Sequence, residues 1–307
     1  MTSHRQLRLK VQQILLSSLS NEDNESNESN KISEATAASR ALMCDVLGLS
    51  LTQLLLRDQD PVSDDTVTQI IQMANRMANG EPLQYVTGRA EFCGLNLVAR
   101  SGALIPRPET EELVQWAAQW LTDQKMQNPN AKPKVLDIGT GTGCIALALK
   151  NLVPWANVSA IDISDSALVI AQENAQRTGL DVTFRQTDIL SIGSGNIDSL
   201  GGPYDLVLSN PPYVMESERA TMTNNVLDHE PWLALFVPDN DPLLFYRKIA
   251  YLGKNGLLNH RGKIFVEINE ALPNEVMNLY AADGYEIVEM RRDFCNKPRM
   301  VSATLSI

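Results

Sequence analysis

The stretch VLDIGTGTGCIALAL, residues 135–149, joins an apolar strand to an apolar helix through a turn rich in glycine. A strand that runs through such a turn into a helix is typical of an open, mostly parallel sheet with helices on both faces. The stretch therefore predicts an α/β domain whose ligand site lies at the carboxyl end of this strand.

The chain beyond this stretch continues the alternation of strands and helices. Helices are predicted near residues 143–152, 165–178, 241–257 and 272–282. Strands are predicted at KVLDIG, NVSAIDIS, DVTFRQTD, YDLVLSN, KIFVEIN, YEIVEMRRDF and RMVSATLSI. The pattern predicts a seven-stranded Rossmann-like sheet. Its last two strands have no helix between them, which predicts an antiparallel edge.

The N-terminal part of the chain has a different pattern. Apolar residues recur at helical spacing between Glu34 and Asn79, which predicts a small all-helical domain over residues 1–80. Residues 81–108 alternate apolar and polar side chains around three glycines, which predicts a β-hairpin linker. The α/β domain then occupies residues 109–307.

The first 30 residues contain two segments that need separate interpretation. MTSHRQLRLKVQQILLSSLS is basic and amphipathic, and we predict that it forms the first helix of the helical domain. A mitochondrial presequence has the same features and stays open as an alternative. NEDNESNESN, residues 21–30, is too polar to bury and is predicted to be a loop.

The composition weighs against several classes of protein. The net charge of -11, from 37 acidic and 26 basic residues, disfavours a nucleic-acid partner because it repels phosphate. The four cysteines and three histidines are scattered, so no metal site is predicted. Since no apolar run approaches the roughly 20 residues of a membrane span, we expect a soluble, cytoplasmic protein with no membrane partner.

The glycine-rich turn does not match the dinucleotide fingerprint. The last position of G-x-G-x-x-G requires Gly or Ala, but Cys144 stands there. The pattern is instead Asp137-x-Gly139-x-Gly141-x-Gly143, with a carboxylate that would repel a pyrophosphate. An amine-bearing ligand suits this turn better than NAD.

Two further acidic residues are predicted at strand ends along the same edge of the sheet. Asp162 ends the next strand, where a carboxylate accepts hydrogen bonds from ribose hydroxyls. Asp188 ends the following strand, where it suits an exocyclic amine, and Ile189 suits the face of an adenine. Together with the turn, these residues predict S-adenosyl-L-methionine as the cofactor.

The fourth strand, YDLVLSN, ends in Asn210, Pro211, Pro212 and Tyr213. The prolines cannot donate to a ladder, so they end the strand and leave backbone carbonyls free. The Asn210 side-chain oxygen and the Pro211 carbonyl can accept the two N–H groups of a planar amide or amine, and Tyr213 can pack against it. We therefore predict methylation of a planar –NH₂ group by these residues.

With these motifs, the chain resembles the release-factor glutamine N5-methyltransferases, the PrmC/HemK family. The blocks GEPLQYVTGRAEFCGL, LIPRPETEELV and EPWLALFVP are also similar to blocks of that family. The resemblance implies a class I methyltransferase sheet that methylates the Gln of a Gly-Gly-Gln motif in class 1 peptide chain release factors.

The resemblance also implies roles for individual residues. The cofactor would be bound by Asp137, Gly139, Thr140, Gly141, Thr142, Gly143, Asp162, Asp188, Ile189 and Asn210. The substrate glutamine would be held by the catalytic segment Asn210, Pro211, Pro212 and Tyr213. The substrate wall would be formed by the segment Arg107 to Glu111, with Arg107, Pro108 and Glu109 as its binding residues. The helical domain would recognise the release factor, and we expect a monomer.

Two other functions stay open at this point. The Asn-Pro-Pro-Tyr motif also occurs in amino-methyltransferases that act on adenine or guanine in nucleic acids, although the acidic composition disfavours them. A non-catalytic cofactor-binding scaffold is the third possibility, which the intact motif disfavours.

Overall fold

The computed structural model describes residues 2–19 and 27–306. Within these ranges the α-helices are α1 His4–Leu19, α2 Glu28–Leu47, α3 Leu51–Leu56, α4 Asp64–Ala78, α5 Leu83–Thr87, α6 Pro108–Gln127, α7 Cys144–Leu152, α8 Asp165–Thr178, α9 Asn224–His229, α10 Leu244–Leu252 and α11 Pro273–Ala282. The strands are β1 Thr2–Ser3, β2 Pro61–Val62, β3 Arg89–Phe92, β4 Leu95–Val98, β5 Lys134–Ile138, β6 Asn157–Asp162, β7 Thr183–Gln186, β8 Tyr204–Ser209, β9 Val214–Met215, β10 Phe236–Val237, β11 Leu258–Glu267, β12 Tyr285–Arg292 and β13 Pro298–Leu305.

The chain forms two compact units. One contains the described residues of Met1–Arg89 together with Thr223–His229, and the other contains Ala90–Met222 and Glu230–Ile307 in their described part. The first unit is therefore built from two separate stretches of sequence.

The first unit is helical, as predicted. Leu7, Val11 and Leu15 recur every four residues on α1 and are buried in its core, with Leu42 and Met43 of α2. This spacing is that of an amphipathic helix, and burial of each large side chain contributes about 1.5–3 kcal/mol. The predicted first helix is confirmed over His4–Leu19.

The second helix begins earlier than the sequence predicts. Asn27 caps α2 by accepting from the backbone N–H of Ser29, and Glu28 lies in the first turn, where its charge suits the helix dipole. Residues 21–26 of the predicted polar loop lie outside the described residues. The prediction that residues 28–30 belong to that loop is wrong, because capping outweighs their low apolar content.

The predicted hairpin over residues 81–108 is shorter in the structure. Only β3 and β4 form it, with Cys93 and Gly94 at positive φ in the turn. Leu83–Thr87 is instead the short helix α5, which ends at Gly88 in the left-handed conformation. The prediction that residues 83–87 belong to the hairpin is therefore wrong.

The second unit has a seven-stranded sheet among its described residues, in the order β12-β13-β11-β8-β5-β6-β7. Five neighbouring strands, β11, β8, β5, β6 and β7, are parallel, and β13 is antiparallel to both β11 and β12. The predicted sheet and its antiparallel edge are confirmed. Because parallel strands end at the same edge, Ile138, Asp162 and Ser209 come close together.

Helices cover both faces of this sheet. Successive residues of β5 pack on opposite faces of the sheet. Val135 packs with the buried faces of α6 and α7, and Leu136 packs with those of α10 and α11. The near-continuous apolar sequence of β5 reflects this burial on both faces. Among the described residues, no helix is both long and apolar enough to cross a bilayer.

Candidate active site

A cavity of about 490 Å³ opens at the carboxyl ends of β5, β6, β7 and β8. The predicted site residues that line it are Gly139, Gly141, Asp162, Asp188, Ile189, Asn210, Pro211 and Pro212. The predicted residues that do not line it are Asp137, Thr140, Thr142, Gly143, Tyr213, Arg107, Pro108 and Glu109. The structure thus brings the strand-end residues together around the cavity, whereas part of each predicted motif does not line it.

The three glycines of the turn have different surroundings. All three have positive φ, and a Cβ on Gly139 or Gly141 would meet no described atom within 4 Å. A Cβ on Gly143 would lie 3.1 Å from the Ala171 Cβ of α8 and 3.2 Å from the Leu147 Cδ1. Gly139 and Gly141 therefore leave space for a ligand beside the backbone, whereas Gly143 lets α8 approach closely.

Asp162 connects the end of β6 to the turn. Its Oδ2 accepts from the Gly141 N–H at 2.8 Å, and its Oδ1 accepts from the Ser164 N–H at 2.9 Å. Burial raises the pKa of this carboxyl, and the backbone hydrogen bonds oppose that shift. An ionised carboxylate has about four acceptor sites, so Asp162 keeps capacity for two hydroxyl donors. This capacity fits the ribose of the predicted cofactor.

Asp137 lies behind the cavity wall. It is fully buried, its Oδ2 accepts from the Thr140 hydroxyl at 2.6 Å, and its Oδ1 has no hydrogen-bond partner among the described residues. Burial raises the pKa of Asp137 to about 7, although the Thr140 hydrogen bond opposes the shift. Its direct contact with a ligand amine stays a prediction.

The wall after β7 is apolar. Asp188 Oδ1 accepts from the Leu190 N–H at 2.9 Å and caps the short turn Ile189–Ser191. Ile189 is buried and faces the cavity, and Leu190 also lines it. An apolar wall beside one carboxylate fits a flat heteroaromatic ring with an exocyclic amine, as the sequence predicts. The wall, the open turn and Asp162 together fit S-adenosylmethionine.

Asn210 is hydrogen-bonded to Thr110, which lies in the predicted substrate wall, and through it to Glu267, which the sequence interpretation missed. Its Nδ2 donates to the Thr110 Oγ1 at 3.2 Å, and the Thr110 hydroxyl donates to the Glu267 Oε2 at 2.5 Å. The Tyr213 hydroxyl donates to the Glu267 Oε1 at 2.9 Å. Burial raises the pKa of Glu267, and these two hydrogen bonds oppose the shift. The one feature of the sequence that could have indicated Glu267 is its position as a carboxylate within the apolar stretch KIFVEIN.

A buried carboxylate also fixes the segment before α6. Glu230, whose side chain is 1% exposed, accepts from Arg107 Nη2 at 2.7 Å and from the Ile105 N–H at 3.1 Å. Pro108 then occupies the first turn of α6, where its missing N–H costs nothing, and Glu109 suits the helix dipole. Glu230 therefore holds the segment whose Ala103 and Leu104 line the cavity.

No metal centre is evident in the part of the chain that the structure describes. No group of three or more His, Cys, Asp or Glu side chains in this part is placed to hold an ion. Asp162 and Glu267 instead accept hydrogen bonds from backbone N–H groups and from a hydroxyl.

Comparisons with known proteins identify the family of the chain. The family model of the PrmC N-terminal domain matches residues 27–88, and that of the methyltransferase small domain matches residues 114–231. A release factor glutamine methyltransferase of Bacteroides thetaiotaomicron is 42% identical over 88% of this chain and 92% of its own length. The one of Chlorobaculum tepidum is 34% identical over 88% of this chain and 90% of its own length.

A comparison with solved structures concerns the fold alone. The hMettl16 catalytic domain in complex with the MAT2A 3′UTR hairpin 6 has a TM-score of 0.51, covers 80% of this chain and 82% of its own, and is 14% identical. This likeness agrees with the class I methyltransferase sheet. The sequence matches go further: the chain belongs to the family of release factor glutamine methyltransferases and is an S-adenosylmethionine-dependent methyltransferase.

Proposed function

We propose that this chain transfers a methyl group to the side-chain amide nitrogen of the Gln in the Gly-Gly-Gln motif of class 1 peptide chain release factors. The names of the relatives support this substrate. The observation that carries the proposal is the position of Asn210, Pro211 and Pro212 in the cavity wall beside Gly139 and Gly141. This arrangement puts acceptors for an amide next to the cofactor turn.

The chemistry explains why acceptors are needed. An amide nitrogen is a weak nucleophile because its lone pair is delocalised into the carbonyl. The Asn210 Oδ1 and the Pro211 carbonyl can accept its two N–H groups, which orients the nitrogen. Positive charge develops on that nitrogen during the transfer, so both oxygens stabilise the transition state more than the ground state.

The cofactor supplies an electrophilic methyl group on a sulfonium when it is bound. For this chain we assign ribose binding to Asp162, the adenine face to Ile189 and the adenine amine to Asp188. Gly139 and Gly141 let the cofactor approach the backbone. No general base is required, because the methylated nitrogen is acidic and its proton can leave to water.

The mouth of the cavity supports a protein substrate. Trp232 and Leu233 line the cavity and are 45% and 69% exposed, and Leu190 is 36% exposed. Exposed apolar side chains around a cavity suit a peptide loop better than a phosphate backbone, which requires basic residues. The alternative function, methylation of adenine or guanine in a nucleic acid, receives no support from the names of the relatives.

The proposal includes the setting of the reaction. We also propose that the enzyme acts as a monomer. We place it in the cytoplasm, where release factors act, and assign the helical unit to recognition of the release factor. Light scattering of the purified protein tests the monomer, and a dimer would contradict it.

A methyl-transfer assay tests the substrate. Purified protein is mixed with methyl-labelled S-adenosylmethionine and a class 1 release factor, with tRNA, ribosomal RNA and DNA as parallel acceptors. The matched control is the release factor with Gly-Gly-Glu in place of Gly-Gly-Gln, which keeps the shape but removes the amide. We expect label in the Gly-Gly-Gln protein alone. Label in nucleic acid and not in the release factor would overturn the proposal.

A further inference from the structure

We propose that Thr110 and Glu267 are positioning residues that determine which end of the Asn210 amide faces the reacting glutamine. The inference rests on the proposed function, in which the Asn210 Oδ1 must accept a hydrogen bond from the substrate. A reversed Asn210 amide would present its –NH₂ group to the –NH₂ group of the substrate. The orientation of this one side chain therefore decides whether the site can bind its substrate productively.

The positioning residues form a buried chain of hydrogen bonds. Glu267 ends β11 and is 1% exposed, and Thr110 lies in the first turn of α6 and is 2% exposed. One oxygen of Glu267 accepts a hydrogen bond from the Thr110 hydroxyl at 2.5 Å, and the other accepts one from the Tyr213 hydroxyl at 2.9 Å. The Thr110 Oγ1 in turn accepts a hydrogen bond from the Asn210 Nδ2 at 3.2 Å. Both Glu267 oxygens and the hydroxyls of Thr110 and Tyr213 are paired, so the arrangement is specific.

When Glu267 is ionised, the donors and acceptors of this chain can be arranged in one way only. An ionised carboxylate accepts hydrogen bonds and donates none, so the single Thr110 proton must be directed at Glu267. Thr110 can then only accept from its other neighbour, and Asn210 must present its Nδ2 to it. The Oδ1 of Asn210 lies on the opposite branch of the same planar amide and is free to face the substrate.

The size of the effect follows from one hydrogen bond. Reversal of the Asn210 amide would bring its Oδ1 against the Thr110 Oγ1. Since the Thr110 proton is directed at Glu267, no proton would lie between these two oxygens. Loss of a neutral hydrogen bond shifts an equilibrium by about twofold to tenfold, and repulsion between the oxygens adds to it. Because the Asn210 amide is already oriented, it does not have to rotate when the substrate binds, and this removes part of the barrier to the reaction.

Two variants of Thr110 separate its hydroxyl from its shape. Thr110→Val keeps the shape and removes the hydroxyl, whereas Thr110→Ser keeps the hydroxyl and removes a methyl group. At about pH 8, well above the ordinary pKa of a glutamate, we expect Thr110→Val to lower the single-turnover rate about twofold to tenfold, because the Asn210 amide loses the hydrogen bond that fixes its orientation. We expect KM for the release factor and the affinity for S-adenosylhomocysteine to stay within about twofold. Thr110→Ser should recover most of the rate.

A second variant covers the case in which Thr110→Val does not fold, since that change leaves a Glu267 oxygen without its donor. Glu267→Gln keeps the shape, but its Nε2 must donate to Thr110 or to Tyr213. The strict order of donors is then lost, and we expect about a tenfold lower rate with cofactor affinity retained. Thermal unfolding and calorimetry with S-adenosylhomocysteine identify the folded variants.

Asn210→Ala, measured in parallel, distinguishes failure of this inference from failure of the proposed function. If Asn210→Ala is inactive while Thr110→Val or Glu267→Gln reacts at the wild-type rate, the positioning role is wrong and the proposed function stands. If Thr110→Ser loses as much rate as Thr110→Val, Thr110 acts through its shape, which also overturns the inference. If Asn210→Ala itself reacts normally, the role of Asn210 in the proposed function is wrong.

Discussion

Glu230 binds Arg107 at 2.7 Å although the two residues are 123 positions apart in the sequence. The second Glu230 oxygen accepts from the backbone N–H of Ile105 at 3.1 Å. One buried carboxylate thus fixes both the side chain and the backbone of the segment that leads into α6. A buried carboxylate with two partners differs in its energetics from an ion pair at the surface.

We predict that Glu230→Ala lowers the free energy of unfolding by about 1–3 kcal/mol, because it leaves the buried Ile105 N–H without an acceptor. Glu173→Ala is the control, since Glu173 is 39% exposed and pairs with the exposed Arg100 at 2.6 Å. A surface pair of this kind contributes about 0–1 kcal/mol. Urea unfolding of both variants measures the difference, and equal losses would contradict the prediction.

Asp162→Ala is predicted to weaken the binding of S-adenosylhomocysteine about 10- to 150-fold, because charged acceptors contribute about 1.5–3 kcal/mol. The change removes the acceptors for the ribose and the anchor of the Gly141 N–H. Asp165→Ala, in the first turn of α8 and exposed, removes the same charge three residues away and should bind normally. Calorimetry decides, and unchanged affinity in Asp162→Ala would exclude Asp162 from the site.

Substitution of two glycines of the turn should have different effects, one mainly on stability and the other mainly on cofactor affinity. Gly143→Ala should lower the melting temperature most, since its Cβ would meet Ala171 at 3.1 Å in addition to the strain of a φ of +82°. Gly141→Ala carries the strain alone, at about 1–2 kcal/mol, but lines the cavity and should lower cofactor affinity more than stability. Thermal melts and calorimetry on both variants test the contrast. An identical pattern in the two variants would refute it.

The pH dependence of stability should depend on Asp137. Its pKa of about 7 lies above the ordinary 3.8, so the folded state holds the proton more tightly than the unfolded state. The contribution of Asp137 to stability is fully present below about pH 4 and is lost as the pH rises through 7. Relative to Asp137→Asn, the wild type should lose up to about 1.4 kcal/mol per pH unit in this window. Unfolding measured from about pH 4 to 8 checks this, and parallel curves would contradict it.

Local patterns in the sequence predicted the sheet and the strand-end residues. Asp162 ends an apolar strand and Asn210 follows one directly. Because parallel strands end at one edge, their position in one cavity follows from the order of elements. The direction of a side chain within a motif does not follow in this way. Asp137 and Gly143 belong to the predicted turn, but the structure places them against Thr140 and α8.

The residues that support the site were not predictable from the sequence. Thr110 and Glu267 are 157 positions apart, and their hydrogen bond exists only because α6 packs against the sheet beside β11. Sequence periodicity describes neighbours along one element and carries no information about such pairs. The short helix α5 was missed for a related reason, since five residues are too few for helical periodicity to register.

The short segment Thr223–His229 belongs to the helical unit although it is encoded far beyond the rest of that unit. A Cβ on Gly80 would lie 3.4 Å from the Asn225 Oδ1 and 3.7 Å from the His229 Nε2, which shows how closely the segment packs there. During synthesis the ribosome therefore completes this unit only after it has made more than half of the methyltransferase unit. A single cut after Arg89 cannot separate the two units cleanly, because it leaves the segment in the wrong fragment.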